Sequence, residues 1–236
     1  MTFDNSRTEN LIGTDAVRKL RETRAAVFGI GGVGGYVCEA LVRAGIGSID
    51  LIDGDRVSES NLNRQIIATH DTVGMYKTEA MKTRILSVNP GCTVTCHNIF
   101  FLPGSRGDID FTGFRIVADC VDTVSAKLEI ITDAVSLGIP VISSMGAGNK
   151  LHPELFTISD IYKTDTDPLA RVMRRELRNR GIKSLPVCWS PEKPASAIHI
   201  TDPETGKPAP SSISFVPSAA GLIIAGWMVR KICGIE

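Results

Sequence analysis

The sequence predicts an α/β protein: a Rossmann-like, doubly wound, largely parallel sheet with a C-terminal extension. An apolar run, Ala25-Ala26-Val27-Phe28, passes directly into Gly29-Ile30-Gly31-Gly32-Val33-Gly34-Gly35. Val37, Ala40, Leu41 and Ala44 then recur at helical spacing, and Ser48 to Asp53 reads as a second strand ending in an acid. Strand and helix patterns continue to alternate to about residue 150, as in parallel strands joined by crossover helices.

The chain order supports each element. Residues 1–24 read as a polar arm and a short helix, Thr14 to Leu20, with Thr14 as its N-cap. Lys77 to Val88 is a helix with Met81, Ile85 and Val88 on one face, stopped by Asn89-Pro90-Gly91. Thr93 to Cys96 alternates as a short strand. Ile116 to Cys120 is a buried strand, Val124 to Leu137 a helix closed by Gly138 and Pro140, and Val141 to Met145 a further strand. Residues 25–150 thus form a nucleotide-binding core. Residues 151–236 extend the same domain and are expected to serve substrate binding and dimerisation. In this extension Leu155 to Ile158 is a strand, Asp167-Pro168 opens a helix to Asn179, and the Pro- and Ser-rich residues 184–212 read as a long loop or crossover. Ser218 to Lys231 is an apolar helix. Pro217 limits it to about a dozen residues, roughly 18 Å, against the ~30 Å of a bilayer core. A core or dimer-interface helix is expected there, with no membrane partner.

Composition excludes little but is consistent with this. The 236 residues carry 26 basic and 26 acidic side chains, so no global charge marks a polyanion or membrane partner. The polar start, Met1-Thr2-Phe3-Asp4-Asn5, is unlike a signal peptide, and six scattered cysteines suit a reducing cytoplasm.

The glycine turn lets backbone approach phosphates while a helix N-terminus faces the anion, and an acid at the end of the next strand takes ribose hydroxyls. This assigns Gly29, Gly31, Gly32, Gly34 and Asp53 to a nucleotide without saying which one. Asn61, Arg64 and Gln65 follow that acid, and Lys77 opens the next helix. Cations so placed suit cleavage of a triphosphate, where charge develops on departing pyrophosphate; a solvated helix face is the plainer alternative. Asp119 and Asp122 close the fourth strand at the same crevice. Asp122 is the candidate Mg²⁺ ligand, against a simple capping role for Asp122 or Thr123.

Together Gly29-x-Gly31-Gly32-x-Gly34, Asp53-x-Asp55, Asn61-x-x-Arg64-Gln65, Lys77 and Asp122 resemble the ThiF/MoeB/HesA superfamily of ubiquitin-activating-type adenylating enzymes. The resemblance implies that Gly32, Asp53, Arg64, Lys77 and Asp122 handle Mg-ATP while a substrate carboxylate attacks the α-phosphate. It adds Asp55, Asn61 and Gln65 to the ATP site. It makes Arg7, in Ser6-Arg7-Thr8-Glu9-Asn10, an arginine reaching the partner's ATP in a homodimer. Three further stretches are similar to the branch of that superfamily acting on threonylcarbamoyladenosine in tRNA: Asn63 to His70, Ser143 to Lys150, and Asp167 to Arg174. With Ser214-Phe215-Val216-Pro217 the likeness covers nearly the whole chain. That branch adenylates the threonyl carboxylate beside the anticodon and then loses AMP to close a cyclic ester, a net dehydration. A monovalent cation and a sulfur-transfer protein partner are compatible with it, though no motif here specifies either.

Paired C-x-x-C motifs are absent and only Cys92-x-x-x-Cys96 comes near, so no structural zinc is expected. Cys188 is the one candidate for a thioester-forming cysteine, with no neighbouring cation to activate it. Arg171, Arg174, Arg175 and Arg178 fall on one helix face, interrupted by Glu176, and form a candidate tRNA-phosphate stripe; a solvated face is the alternative. The competing functions are adenylation of a ubiquitin-like or sulfur-carrier protein C-terminus, an NAD-dependent oxidoreductase, and a non-catalytic nucleotide-binding scaffold.

Overall fold

The computed structural model describes residues 3–105, 107–195 and 211–235. Among the described residues seven strands form one sheet: β1 (Arg24–Phe28), β2 (Ser48–Ile52), β3 (Thr93–His97), β4 (Ile116–Asp119), β5 (Val141–Ser144), β6 (Thr157–Asp160) and β7 (Pro186–Trp189). Their order is β3-β2-β1-β4-β5-β7-β6. All pairings are parallel except β6 with β7. The strand order reverses between β1 and β4, where Phe28 sits beside Asp119. Beyond the carboxyl ends at such a reversal a parallel sheet opens a crevice, because the crossovers leave on opposite faces.

Helices cover both faces. α3 (Gly34–Ala44), α4 (Lys77–Val88) and α7 (Phe215–Cys233) pack on one side with α2 (Thr14–Arg21), around Leu20, Val37, Leu41, Met81, Ile85, Ile224 and Met228. α5 (Val124–Ser136) and α6 (Pro168–Asn179) cover the other, over Ile130, Ile131, Met173 and Leu177. There Phe28, Phe101, Phe111 and Phe114 form a linked aromatic group, with ring centroids 5.2 to 5.7 Å apart along the chain of contacts.

Several boundaries differ from the sequence reading. The polar arm contains a helix of its own, α1 (Ser6–Ile12), with no buried residue, so hydrophobic periodicity could not reveal it. Thr14 does not cap α2; Gly13 does, at φ 87°, a conformation that favours glycine. The loop expected at 184–212 includes β7, which is sandwiched between β5 and β6; residues 196–210 lie outside the described residues. Pro217 does not shorten the last helix. It occupies the first turn of α7, where a proline's missing N–H costs nothing. The 19-residue helix is therefore about 28 Å long, and length does not argue against a membrane span. Packing does: Val216, Ala220, Gly221, Ile224, Ala225 and Met228 are buried, and a Cβ on Gly221 would lie 2.4 Å from the Val33 carbonyl oxygen of the turn before α3.

Candidate functional site

A cavity of about 440 Å³ lies over the strand-order reversal, bounded by the exits of β1, β2 and β4. Its floor is the glycine turn. Gly29 donates its N–H to the Ile52 carbonyl at 2.8 Å and takes φ 84°, with any Cβ 2.8 Å from the Cys120 backbone. Gly34 is closer still: a Cβ there would stand 1.8 Å from the Gly29 carbonyl oxygen. Gly29, Gly31 and Gly32 line the cavity, whereas Gly34 starts α3 and holds the turn tight. The positive end of α3 thus adjoins the cavity, an arrangement that favours anions.

Asp53 stands at the end of β2. Its Oδ2 accepts from the Ile30 N–H at 2.6 Å and its Oδ1 from the Asp55 N–H at 2.8 Å. Burial pushes its carboxyl above the usual range, even though the Lys77 charge and these two N–H donors pull it down. Asp55 has a different part: its Oδ2 lies 2.6 Å from Lys77 Nζ and serves as that buried lysine's counterion. Asn61 is buried, and its Oδ1 accepts the Ser58 N–H at 3.1 Å, shaping the loop. Arg64 Nη1 donates to the Ser60 carbonyl (2.8 Å) and to Asn63 Oδ1 (2.9 Å). Gln65 is buried at the cavity wall, and its Oε1, itself shut off from solvent, has no hydrogen-bond partner among the described residues. Asp122 is an exposed lining residue that, among the described residues, accepts only the Thr123 hydroxyl, at 3.3 Å. Its oxygens are open to a hard cation. Neither Asp122 nor Thr123 makes a side-chain cap on α5.

Asp119 is not a site residue. It is fully buried, with its Oδ2 3.0 Å from Lys127 Nζ and accepting the Ser143 hydroxyl at 2.6 Å. Lys127 also donates to the Val121 carbonyl at 2.9 Å and fixes the strand exit that presents Asp122. Cys188 is buried in β7, and burial pushes its thiol up to about 12, so it forms no thiolate near neutrality. Cys92 is buried, and Cys96 donates to the Thr78 carbonyl across 3.5 Å.

Two groups of predicted residues stand apart from the cavity. Arg7 is an exposed residue of α1 and does not line it. The α6 arginines share a face as their spacing requires, but they are not four free cations. Arg174 is half-buried and donates to the Thr164 carbonyl (2.9 Å) and hydroxyl. Arg178 stacks over Tyr162 at 5.1 Å, and Arg175 pairs with Glu176 at 3.1 Å. Arg171 is exposed. The stripe helix is nonetheless anchored to the site: Asp167 caps α6 through the Ala170 N–H at 2.9 Å and accepts the Gly146 N–H from the β5 exit at 3.1 Å.

Sequence reasoning missed other lining residues. Phe100, 60% exposed, lays its ring over Gly54, where a Cβ would lie 2.7 Å away. Pro217, Ala147, Gly148 and Ser212 close the opposite side. An exposed aromatic just past a parallel strand's carboxyl end is a readable signal; the approach of Pro217 is not, because it comes from a distant helix.

The chain is similar to known proteins over nearly its whole length. A model of the family described as "ThiF family" matches residues 4–236. The tRNA threonylcarbamoyladenosine dehydratase of Bacillus subtilis (strain 168) is 41% identical over 242 residues, 98% of this chain and 95% of that protein. The protein of the same name from Escherichia coli (strain K12) is 39% identical over 172 residues, 73% of this chain and 64% of that protein. The crystal structure of E. coli tRNA N6-threonylcarbamoyladenosine dehydratase, TcdA, in complex with ATP superposes with TM-score 0.88 at 31% identity, over 98% of this chain and 93% of that one. Its complex with AMP gives the same TM-score and identity over 97% and 93%.

Proposed function

The chain belongs to the ThiF family, and from that premise we propose that it is an ATP-dependent enzyme that adenylates and dehydrates threonylcarbamoyladenosine in tRNA. The observation that carries this reading is the cavity, which gathers the glycine turn, Asp53, Arg64, Lys77 and Asp122 at one strand-order reversal. Full-length similarity to dehydratases of that name supports it.

In the first step a threonyl carboxylate oxygen bonds to the α-phosphorus of ATP, and the α–β bridging bond breaks to release pyrophosphate. Arg64 and Lys77 line the cavity where that leaving charge must be offset. Asp53, with both oxygens held by backbone N–H groups, is pre-set to receive ribose hydroxyls. Asp122 would hold Mg²⁺, whose part is to neutralise phosphate charge. In the second step a nucleophile of the modified side chain attacks the activated carbonyl carbon and AMP leaves. AMP carries off the carboxylate oxygen, so the net change in the nucleoside is loss of water.

The substrate and assembly parts of the proposal are finer. Arg171 and Arg175, with Arg174 and Arg178 held in place beside them, present a basic edge to tRNA phosphates. Arg7 acts across a homodimer on the partner's triphosphate. Both parts would operate in the cytoplasm.

Melting curves test the nucleotide. ATP at ~100 times its Kd adds about 2.7 kcal/mol and raises Tm; NAD does not, and Asp53→Ala abolishes the shift. An equal shift with NAD overturns the assignment. Titrating modified tRNA against Arg171→Ala/Arg175→Ala at several salt concentrations tests the stripe, since each lost phosphate contact flattens the log–log salt slope by about 0.7–0.9. Unchanged affinity and slope remove the stripe from the mechanism. Mixing Arg7→Ala with Arg64→Ala chains restores part of the activity if Arg7 acts in trans. No ring closure on modified tRNA, alongside adenylation of a carrier-protein C-terminus, transfers the function to that substrate.

A further inference from the structure

The loop leaving β5 is tied to the nucleotide cavity by a chain of hydrogen bonds that the adenylation chemistry does not by itself require. Its centre is Asn149, the only non-glycine with positive φ among the described residues, at 57°. An L residue occupies that region at a cost, and it persists only where surrounding contacts hold it, characteristically at functional sites. Three bonds hold Asn149. Its N–H donates to the Ser211 carbonyl at 2.7 Å, its Oδ1 accepts the Ser211 N–H at 2.8 Å, and its carbonyl accepts the Ala195 N–H at 2.7 Å.

The reciprocal pair with Ser211 fixes the next residue, Ser212, which lines the cavity with Gly148. The Ser212 carbonyl accepts from Asn63 Nδ2 at 3.0 Å. Asn63 Oδ1 in turn accepts from Arg64 Nη1 at 2.9 Å, and the same Nη1 donates to the Ser60 carbonyl. The amide of Asn63 therefore has its two ends committed, one to Ser212 and one to Arg64. A hydrogen-bonded path runs Asn149–Ser211–Ser212–Asn63–Arg64, joining the exit of β5 to the loop after β2.

We propose that Asn149 is a positioning residue. Acting through Ser211, Ser212 and Asn63, it sets the Arg64 guanidinium for the phosphates of ATP. An arginine side chain free to rotate must be ordered when it binds, and ordering it in advance strengthens the contact. Here both existing bonds use Nη1, so Nε and Nη2 remain as donors for a phosphate, in a fork held from one side. The inference rests on the reading of the cavity as an ATP site.

The test measures the ATP dissociation constant by calorimetry, and Tm, in the full chain. Asn149→Gly adopts the same φ without strain and keeps both main-chain bonds, so it removes only the Oδ1 acceptor. It should weaken ATP binding roughly three- to tenfold, the loss expected for one hydrogen bond in a network, with Tm within ~2 °C of wild type. Asn149→Asp, which retains an acceptor, should bind within about twofold of wild type. Asn63→Ala cuts the next link at an exposed residue and should reproduce the loss without touching the β5 exit. On an Arg64→Ala background, Asn149→Gly should have no further effect, because the two act in series. The inference is overturned if Asn149→Gly and Asn63→Ala bind ATP as wild type does, or if their losses persist undiminished without Arg64. Failure of the wild type to bind ATP would instead overturn the site reading, and the inference with it.

Discussion

Replacing Lys127 by methionine should destabilise the fold sharply. Lys127 and Asp119 are both completely buried, 3.0 Å apart between Nζ and Oδ2. The lysine also donates to the Val121 carbonyl, and Asp119 accepts from Ser143 Oγ and, at 3.3 Å, from the Val121 N–H. Methionine retains the apolar stem and much of the volume but leaves the carboxylate in the interior without its cation. Removing one partner of a buried pair costs about 3–5 kcal/mol, because the desolvation of the other charge is no longer offset. With an unfolding entropy of about 2.1 cal/mol/K per residue over 236 residues, the whole chain has about 0.5 kcal/mol/K. Tm should therefore fall by about 6–10 °C. Differential scanning calorimetry at pH 7 without nucleotide measures it. The double variant Lys127→Met/Asp119→Asn removes the stranded charge and keeps an acceptor for Ser143, so it should recover at least half the loss. A fall below ~2 °C, or a double variant no more stable than Lys127→Met, would refute the assignment of stability to this pair.

Three more outcomes test the site and its surroundings. Gly34→Ala should abolish folding, since its Cβ would stand 1.8 Å from the Gly29 carbonyl oxygen, whereas Gly32→Ala meets Pro217 at 3.3 Å and should fold; circular dichroism and ATP calorimetry should show a native chain whose ATP affinity is lost at least ~10-fold. Cys188 should resist iodoacetamide at pH 8 in the folded protein, and Cys188→Ala should retain turnover on modified tRNA, because the thiol is buried and raised to about 12. Glu39 supplies a pH dependence. Burial raises its carboxyl, but the Arg84 and Arg43 guanidiniums outweigh that and hold it below the usual range. A folded value below the unfolded one adds stability above the unfolded pKa and loses it as pH falls through the folded value. Chemical denaturation from pH 6 down to pH 3 should therefore show a steeper loss in wild type than in Glu39→Gln.

The strand, glycine turn, helix and acid from Ala25 to Asp53 were legible because each is a local signal: an apolar run, a turn requiring glycine, a 3.6-residue period. Arg64 and Lys77 could be placed with them because parallel strands joined by right-handed crossovers bring all their carboxyl ends to one side of the sheet. Residue type and spacing went no further. Asp119 and Asp122 are both acids at the end of one strand, and only the packing of β4 against α5 separates them: one is turned inward onto Lys127 and the other lies exposed at the cavity. β7 was hidden among prolines and serines because a strand is stabilised by its neighbours, and those neighbours, β5 and β6, are supplied from elsewhere in the chain.

The α6 arginines show the same division. Helical periodicity aligned them, and their coalignment holds in the fold. Whether Arg174 and Arg178 are free depends on Thr164 and Tyr162, which arrive from the turn after β6. The conformation of Asn149 and the approach of Pro217 to Gly32 are likewise beyond any local pattern. Both arise where segments tens of residues apart in sequence are pressed together, and close packing, not composition, sets which atoms meet.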